Sequence, residues 1–160
     1  MVAKKLVEFL DQQKVHYQII RHTPSYTAQG VAAATHISGK ELVKTVIVKV
    51  DGVFSMVVVP ASRRVDVPGL RRSLGTMDVL LASEEEFKDR FPGCETGAMP
   101  PFGNLYGMPV LVDTNVTKDD EIAFNAGSHA EVIRLAYRDF KRLVSPRVMS
   151  ICSVLTPVAV

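Results

Sequence analysis

Lys44 lies in the run ELVKTVIVKV, where the side chains of an extended chain alternate between two faces. Leu42, Val46, Val48 and Val50 share its parity, while Val43, Thr45, Ile47 and Lys49 take the other. The more apolar face therefore carries an ammonium. Taking that charge out of water costs several kcal/mol unless a partner compensates it. Two readings fit: a lysine near a strand end that snorkels to solvent, or an amine held in a dry site for chemistry.

Two further stretches have the composition of a site wall. In GAMPPFG, residues 97–103, adjacent prolines fix φ and remove two backbone donors, while the flanking glycines permit close approach and positive φ. Such a loop is either a rigid crossover or a pocket wall made of backbone. It is not a phosphate loop, because it lacks the GK[ST] ending and does not lead from a strand into a helix. The stretch NAGSH, Asn125 to His129, is a glycine corner carrying a hydroxyl and an imidazole, a combination that serves structure more often than catalysis.

Other chemistries have weaker support. The histidines are scattered without the i, i+4 spacing of a helical ligand pair, so neither a metal nor a cofactor is expected. Cys94 has no neighbour that marks a thiolate, and Cys152 sits in an apolar tail as a packing residue. Arg63, Arg64, Arg71 and Arg72 bracket VDVPGL. They could meet phosphates, although a solvated helix face is the simpler reading.

The elements that must position these residues follow from periodicity and punctuation. Val2, Leu6, Phe9 and Leu10 share a helical face, and Val15, Tyr17 and Ile19 then alternate as in a strand. Thr27 is placed to cap a helix over AQGVAAATH. Asp51-Gly52 separates two β-rich runs, the strongest hairpin signal in the chain and the expected centre of the sheet. Asp66, Pro68 and Gly75 bound a short helix, Ser83 and Glu86 form a capping-box pattern, and Pro92-Gly93 closes the helix that follows. MPVLVD, DEIAFNA and AEVIRLA read as strands and YRDFKRLV as a helix; the proline-broken tail from Ser145 receives no assignment.

Hairpins outnumber βαβ units, so the fold class is α+β with a mixed, mostly antiparallel sheet. A chain of 160 residues fits one domain, 1–160, with enough apolar surface for its own core. Two cysteines without zinc spacing suit a reducing cytoplasm. No run approaches a membrane span, and Lys plus Arg exceed Asp plus Glu by only two, 19 against 17, so strong nonspecific nucleic-acid binding is not indicated.

Lys44 in LVKTVIVKV, then VVVPASRRVD, GAMPPFG and NAGSH, in that order, resemble the YbaK/ProX family, the prolyl-tRNA-synthetase-associated domain that edits mischarged tRNA. The likeness covers roughly residues 20–144. It implies a mixed sheet curled into a barrel-like core flanked by helices, and an aminoacyl-tRNA deacylase that hydrolyses the ester of a mischarged tRNA bearing a small amino acid. By the same resemblance Lys44 is the key active-site lysine, and the loop containing Gly97, Pro100, Pro101, Phe102 and Gly103 lines the substrate pocket. Gly127, Ser128 and His129 would complete its wall, with Tyr26 and Thr27 facing the same cavity.

Thr45 departs from the alanine-specific branch, which often has Asn after the lysine, so alanine, cysteine, serine or another small residue stays open as the favoured substrate. The expected partner is the acceptor end of mischarged tRNA, reached directly or through a synthetase such as prolyl-tRNA synthetase. A non-enzymatic module that binds an amino acid or nucleotide as a regulatory sensor is the alternative.

Overall fold

The computed structural model describes residues 2–154. The amino-terminal periodicity folds as α1, Lys4–Gln12, which buries Leu6 and Leu10 and leads into β1, Tyr17–Arg21. Thr27 caps α2, Ala28–Thr35, by accepting from the Gly30 N–H. Two eight-residue strands follow, β2, Val43–Val50, and β3, Val53–Pro60. Their turn is made by Asp51 and Gly52, both at positive φ (49° and 82°). Asp-Gly favours this turn because its two central residues must adopt left-handed backbone angles that match the twist of the strands.

Beyond β4, Arg63–Val65, the Asp66 cap opens α3, Val67–Leu74, and Gly75 ends it at φ 70°. β5, Val79–Leu81, precedes α4, Glu84–Phe87, whose capping box is complete. The Glu86 carboxylate of that box also pairs with Lys49 of β2. Hydrogen bonds from Lys49 and from Ser83 hold its carboxyl down to about 2. β6, Val110–Asp113, β7, Glu121–Ser128, and β8, Glu131–Ala136, lead to α5, Tyr137–Val144. The unassigned tail contributes two short strands, β9, Arg147–Met149, and β10, Cys152–Val154.

The strands form three open sheets, ordered β1-β8-β7, β10-β4 and β5-β2-β3-β6-β9. All pairings are antiparallel except β3 with β6 and β6 with β9. The fold is thus α+β with a mixed, mostly antiparallel arrangement and the Asp51-Gly52 hairpin at its centre. The described strands do not close into a barrel, since each sheet ends on free edges; a single parallel bridge, Leu42 to Ala123, links the larger two.

The long hairpin is buried on both faces. Val43 and Ile47 of β2 and Met56 and Val58 of β3 enter the main core with α1, α5 and the three-stranded sheet. Val48, Val57 and Val59 enter a second core with Leu70 of α3, and Val46 and Val50 pack against it. Lys44 therefore belongs by parity to the α3 side. Leu42 does not share that environment, contrary to the sequence reading. It precedes the strand and packs with Val31, Ile37, Ala61, Ala123 and Val132 instead, because there the chain is bridged to Ala123 of β7 on one side while still bonded to Ala61, just past β3, on the other.

Candidate functional site

The GAMPPFG loop and the GSH corner are bound to each other through backbone. The Glu95 N–H donates to the Gly127 carbonyl at 2.8 Å, and the Gly127 N–H donates to the Ala98 carbonyl, also at 2.8 Å. Gly127 sits at φ 97°, and a Cβ there would approach the Ala3 Cβ to 2.8 Å. Only glycine fits both the conformation and the contact. The Ala3 N–H donates to the Ala126 carbonyl at 2.8 Å, so the start of α1 is fastened to the same corner.

His129 is held from four sides. Its Nε2 lies 2.9 Å from the Thr96 carbonyl; because a carbonyl only accepts, Nε2 carries the hydrogen. Its backbone N–H donates to the Glu95 carboxylate at 3.2 Å, and its carbonyl accepts from the Ser25 N–H at 3.0 Å. The Tyr26 ring, 76% exposed, leans on the imidazole with centroids 4.6 Å apart. Gly97, at φ 89°, presents its Cα to this ring, and a Cβ there would stand 3.4 Å from His129 Cε1. Tyr26, Gly97, Gly127 and His129 are thus gathered in one place.

Neighbouring residues from the sequence reading serve the scaffold. The Thr27 hydroxyl oxygen accepts from the Gly30 N–H at 2.9 Å. Ser128 is buried, donates to Glu131 at 3.3 Å and accepts from the Ala130 N–H at 3.2 Å. In the loop itself, Pro100, Pro101 and Phe102 are buried. The Phe102 ring stands in the main core, 5.5 Å from the rings of both Phe124 and Phe140. A Cβ on Gly103 would meet the Met108 carbonyl oxygen at 2.3 Å, so this glycine is required by packing. The loop has an exposed end at Gly97 and an anchored end at Pro100–Gly103.

A depression of about 240 Å³ opens where Gly97 and Met99 face Thr45, Val46 and Ile47 of β2, with Leu81 and Phe87 on its far side. Larger hollows lie beside α3 and beside β6, but neither includes any of these candidate residues. The depression exists because β5 pairs with β2 only at Val48–Val50, leaving the earlier part of that edge uncovered. Lys44 is not among its lining residues. It is partly buried on the other face of β2, and its pKa is lowered, first by burial and then by the positive charge of Arg64, with Cys152 acting in the opposite sense.

Neither thiol is poised as a nucleophile. Burial raises the pKa of Cys94 despite a 3.4 Å contact with the Tyr106 hydroxyl. Burial and the Asp113 carboxylate push Cys152 up to about 11. Among the described residues no group of three or more His, Cys, Asp or Glu side chains could hold a metal ion. Glu95, Thr96 and Ser25, which hold His129, escaped the sequence reading. Only their closeness to Gly97 and Tyr26 in the chain could have drawn attention to them.

Comparison with known proteins identifies the family of this chain. A family model described as the aminoacyl-tRNA editing domain matches residues 22–143. The multifunctional Ser/Thr-tRNA deacylase ProXp-y of Escherichia coli (strain K12) is 26% identical over 156 residues, covering 92% of this chain and 90% of that protein. The prolyl-tRNA editing protein ProX of Acetoanaerobium sticklandii is 24% identical over 151 residues, covering 90% and 92%. A solved protein proposed as a trans-editing enzyme for prolyl-tRNA synthetase has the same fold, with a TM-score of 0.82 at 19% identity over 94% of this chain and 96% of that one. The matched region takes in most of the 160-residue sequence, and the chain belongs to the aminoacyl-tRNA editing domain family.

Proposed function

We propose that this protein is an editing hydrolase that acts in trans in the cytoplasm, cleaving the ester between a small amino acid and the terminal ribose of a mischarged tRNA. The observation that carries the reading is the clamp between residues 95–98 and Gly127, which holds exposed Gly97 opposite the uncovered edge of β2. Water adds to the ester carbonyl, the ribose oxygen leaves with a proton, and the products are free amino acid and tRNA. The charge that develops on the carbonyl oxygen needs donors already in place. The ammonium of Lys44 supplies one, and the N–H of exposed Gly97, bonded at 3.1 Å to the weakly accepting Met99 sulfur, supplies another. β5 stops short of Lys44, pairing with β2 only at Val48–Val50, so the flexible stem of Lys44 can carry the amine round the edge toward the Thr45 side.

The size of the hollow suits a small side chain. A pocket that selects proline discriminates poorly against smaller amino acids, because a missing methylene changes binding by only about 1–3 kcal/mol. Alanine, serine and cysteine on the proline tRNA are the substrates of first choice, with threonine admitted by the names of the relatives. Release of amino acid from a panel of such mischarged tRNAs tests the proposal. Selective release from one or more is the expected result. Thermal stabilisation by free amino acids without any release would replace the enzyme with a sensor.

Within this reading Gly97→Ala has a defined outcome. The left-handed backbone of residue 97 strains any L side chain by about 1–2 kcal/mol, while the new methyl only touches His129, 3.4 Å from its Cε1. Stability in urea should fall by about that amount, and single-turnover deacylation should slow at least about tenfold as the donor positions shift. Undiminished turnover in a folded G97A protein would remove the loop from the site.

A further inference from the structure

The four arginines around VDVPGL divide into two pairs. Arg71 donates to the Val79 carbonyl at 2.9 Å, and Arg72 lies 3.9 Å from the Asp66 carboxylate, so both work inside the α3 region. Arg63 and Arg64 are on β4, which hydrogen bonds of Ala61 and Ser62 to Leu42 and Gly39, at 2.8 and 3.2 Å, fold back beside the start of β2. There Arg64 comes near Lys44, while Arg63 alternates to the opposite face of the strand. Among the described residues none of these three cations has an ion-pair partner.

The surroundings supply no hidden counter-charge. The Cys152 thiol titrates at about 11 and is neutral at physiological pH. The buried Asp113 carboxylate is committed to the protein: it accepts from the Ile151 N–H at 2.9 Å through one oxygen and from the Asn115 N–H at 2.9 Å through the other. Arg64 and Lys44 are close enough for the guanidinium to disfavour the ammonium. Like charges gathered without a partner repel one another, and a folded chain that holds them so is suited to an anion from outside. The planar fork of a guanidinium matches the oxygens of a phosphate in particular.

We propose that Arg64, next to Lys44, and Arg63, on the other face of β4, each bind a backbone phosphate of the tRNA acceptor end. The inference rests on the editing reading for the identity of the RNA but not for the existence of the phosphate site. It gives the two arginines a role in affinity rather than in bond cleavage. Arg72, already beside Asp66, contributes little.

The test uses three measurements on wild type, R63A/R64A and the control R72A. Binding of uncharged tRNA is followed across salt concentrations. At about 0.1 M salt the double variant should bind about tenfold more weakly, and its plot of log affinity against log salt should be shallower by about 1.4, since each single-strand phosphate contact contributes about 0.7. R72A should match wild type. Hydrolysis is then compared on a mischarged tRNA and on a 3′-aminoacyl adenosine, which carries the ester but no phosphate. R63A/R64A should raise KM on the first and leave the second unchanged.

An unchanged affinity and salt slope would overturn the proposal, and so would an equal loss on both substrates, which would mean that the arginines act on the chemistry. Should R63A/R64A unfold, the charge-preserving R63K/R64K replaces it and is expected to retain the slope while losing affinity through the missing fork; equal affinity would count against the proposal. If wild type hydrolyses neither substrate, the editing reading fails, and the binding arm still decides whether the arginines hold RNA.

Discussion

Lys44→Met lowers deacylation by at least about a hundredfold, the scale on which a single donor to a developing oxyanion is felt, and leaves the protein at least as stable as wild type. Both halves come from the same position. The amine is partly buried near Arg64 and Cys152, so its charge is unfavourable to the fold, while methionine keeps the length of the stem and tolerates burial. Retained turnover in K44M would reject the assigned role, and a destabilised K44M would reject the account of its environment.

The pH dependence adds a second readout. Because folding lowers the pKa of Lys44, the unfolded chain binds more protons at this residue in the window between the folded value and the ordinary 10.5. Stability referable to Lys44 therefore rises with pH through that window and is absent below it. Urea unfolding of wild type and K44M should converge as pH rises from neutral toward 10.5, with wild type gaining. A gap that stays constant or widens would show that burial does not press on this amine.

Phe102→Ala lowers stability by about 3–5 kcal/mol, the usual cost of removing a fully buried phenyl ring, and much of what a domain this size has. The ring is fully buried and meets Phe9, Phe124 and Phe140 at centroid distances of 6.3, 5.5 and 5.5 Å. It ties the loop to α1, β7 and α5 at once. Phe102→Leu refills most of the volume and should cost about 1 kcal/mol, with turnover preserved. Urea titration alongside KM separates the two possible roles. A raised KM in F102L at unchanged stability would return the ring to the substrate pocket.

How far the sequence could be read depended on where the information sits. Local chemistry was legible. The Asp51-Gly52 turn, the Thr27, Asp66 and Ser83 caps and the alternation in β2 and β3 are each decided within a few residues. The tail was not legible, because β9 and β10 are three-residue strands made by pairing with β6 and β4, with Ile151 between them anchored to Asp113. Nothing local in RVM or CSV announces such partners.

The candidate site divides along the same line. That Lys44 was expensive to bury followed from parity, yet the alternation could not say which core it faced, and it faces α3 rather than the lining of the Gly97 depression. GAMPPFG reads as one wall by composition, but Phe102 and Gly103 belong to the core, because an aromatic beside two prolines looks the same whether it lines a pocket or anchors a loop. Glu95 and Thr96 carry no spacing signal, and their tie to His129 spans more than thirty residues.

The reciprocal bonds between residues 95–98 and Gly127 brace the Gly97 bank of the depression with a stretch far from it in the chain, with the Ala3 methyl wedged behind Gly127. Neither stretch can retreat to admit a bulkier guest unless both give way together. Under the proposed editing function the breadth of that hollow would be a gauge set when the protein folds, and an oversized amino acid would be turned away by rigidity rather than by any repulsive group.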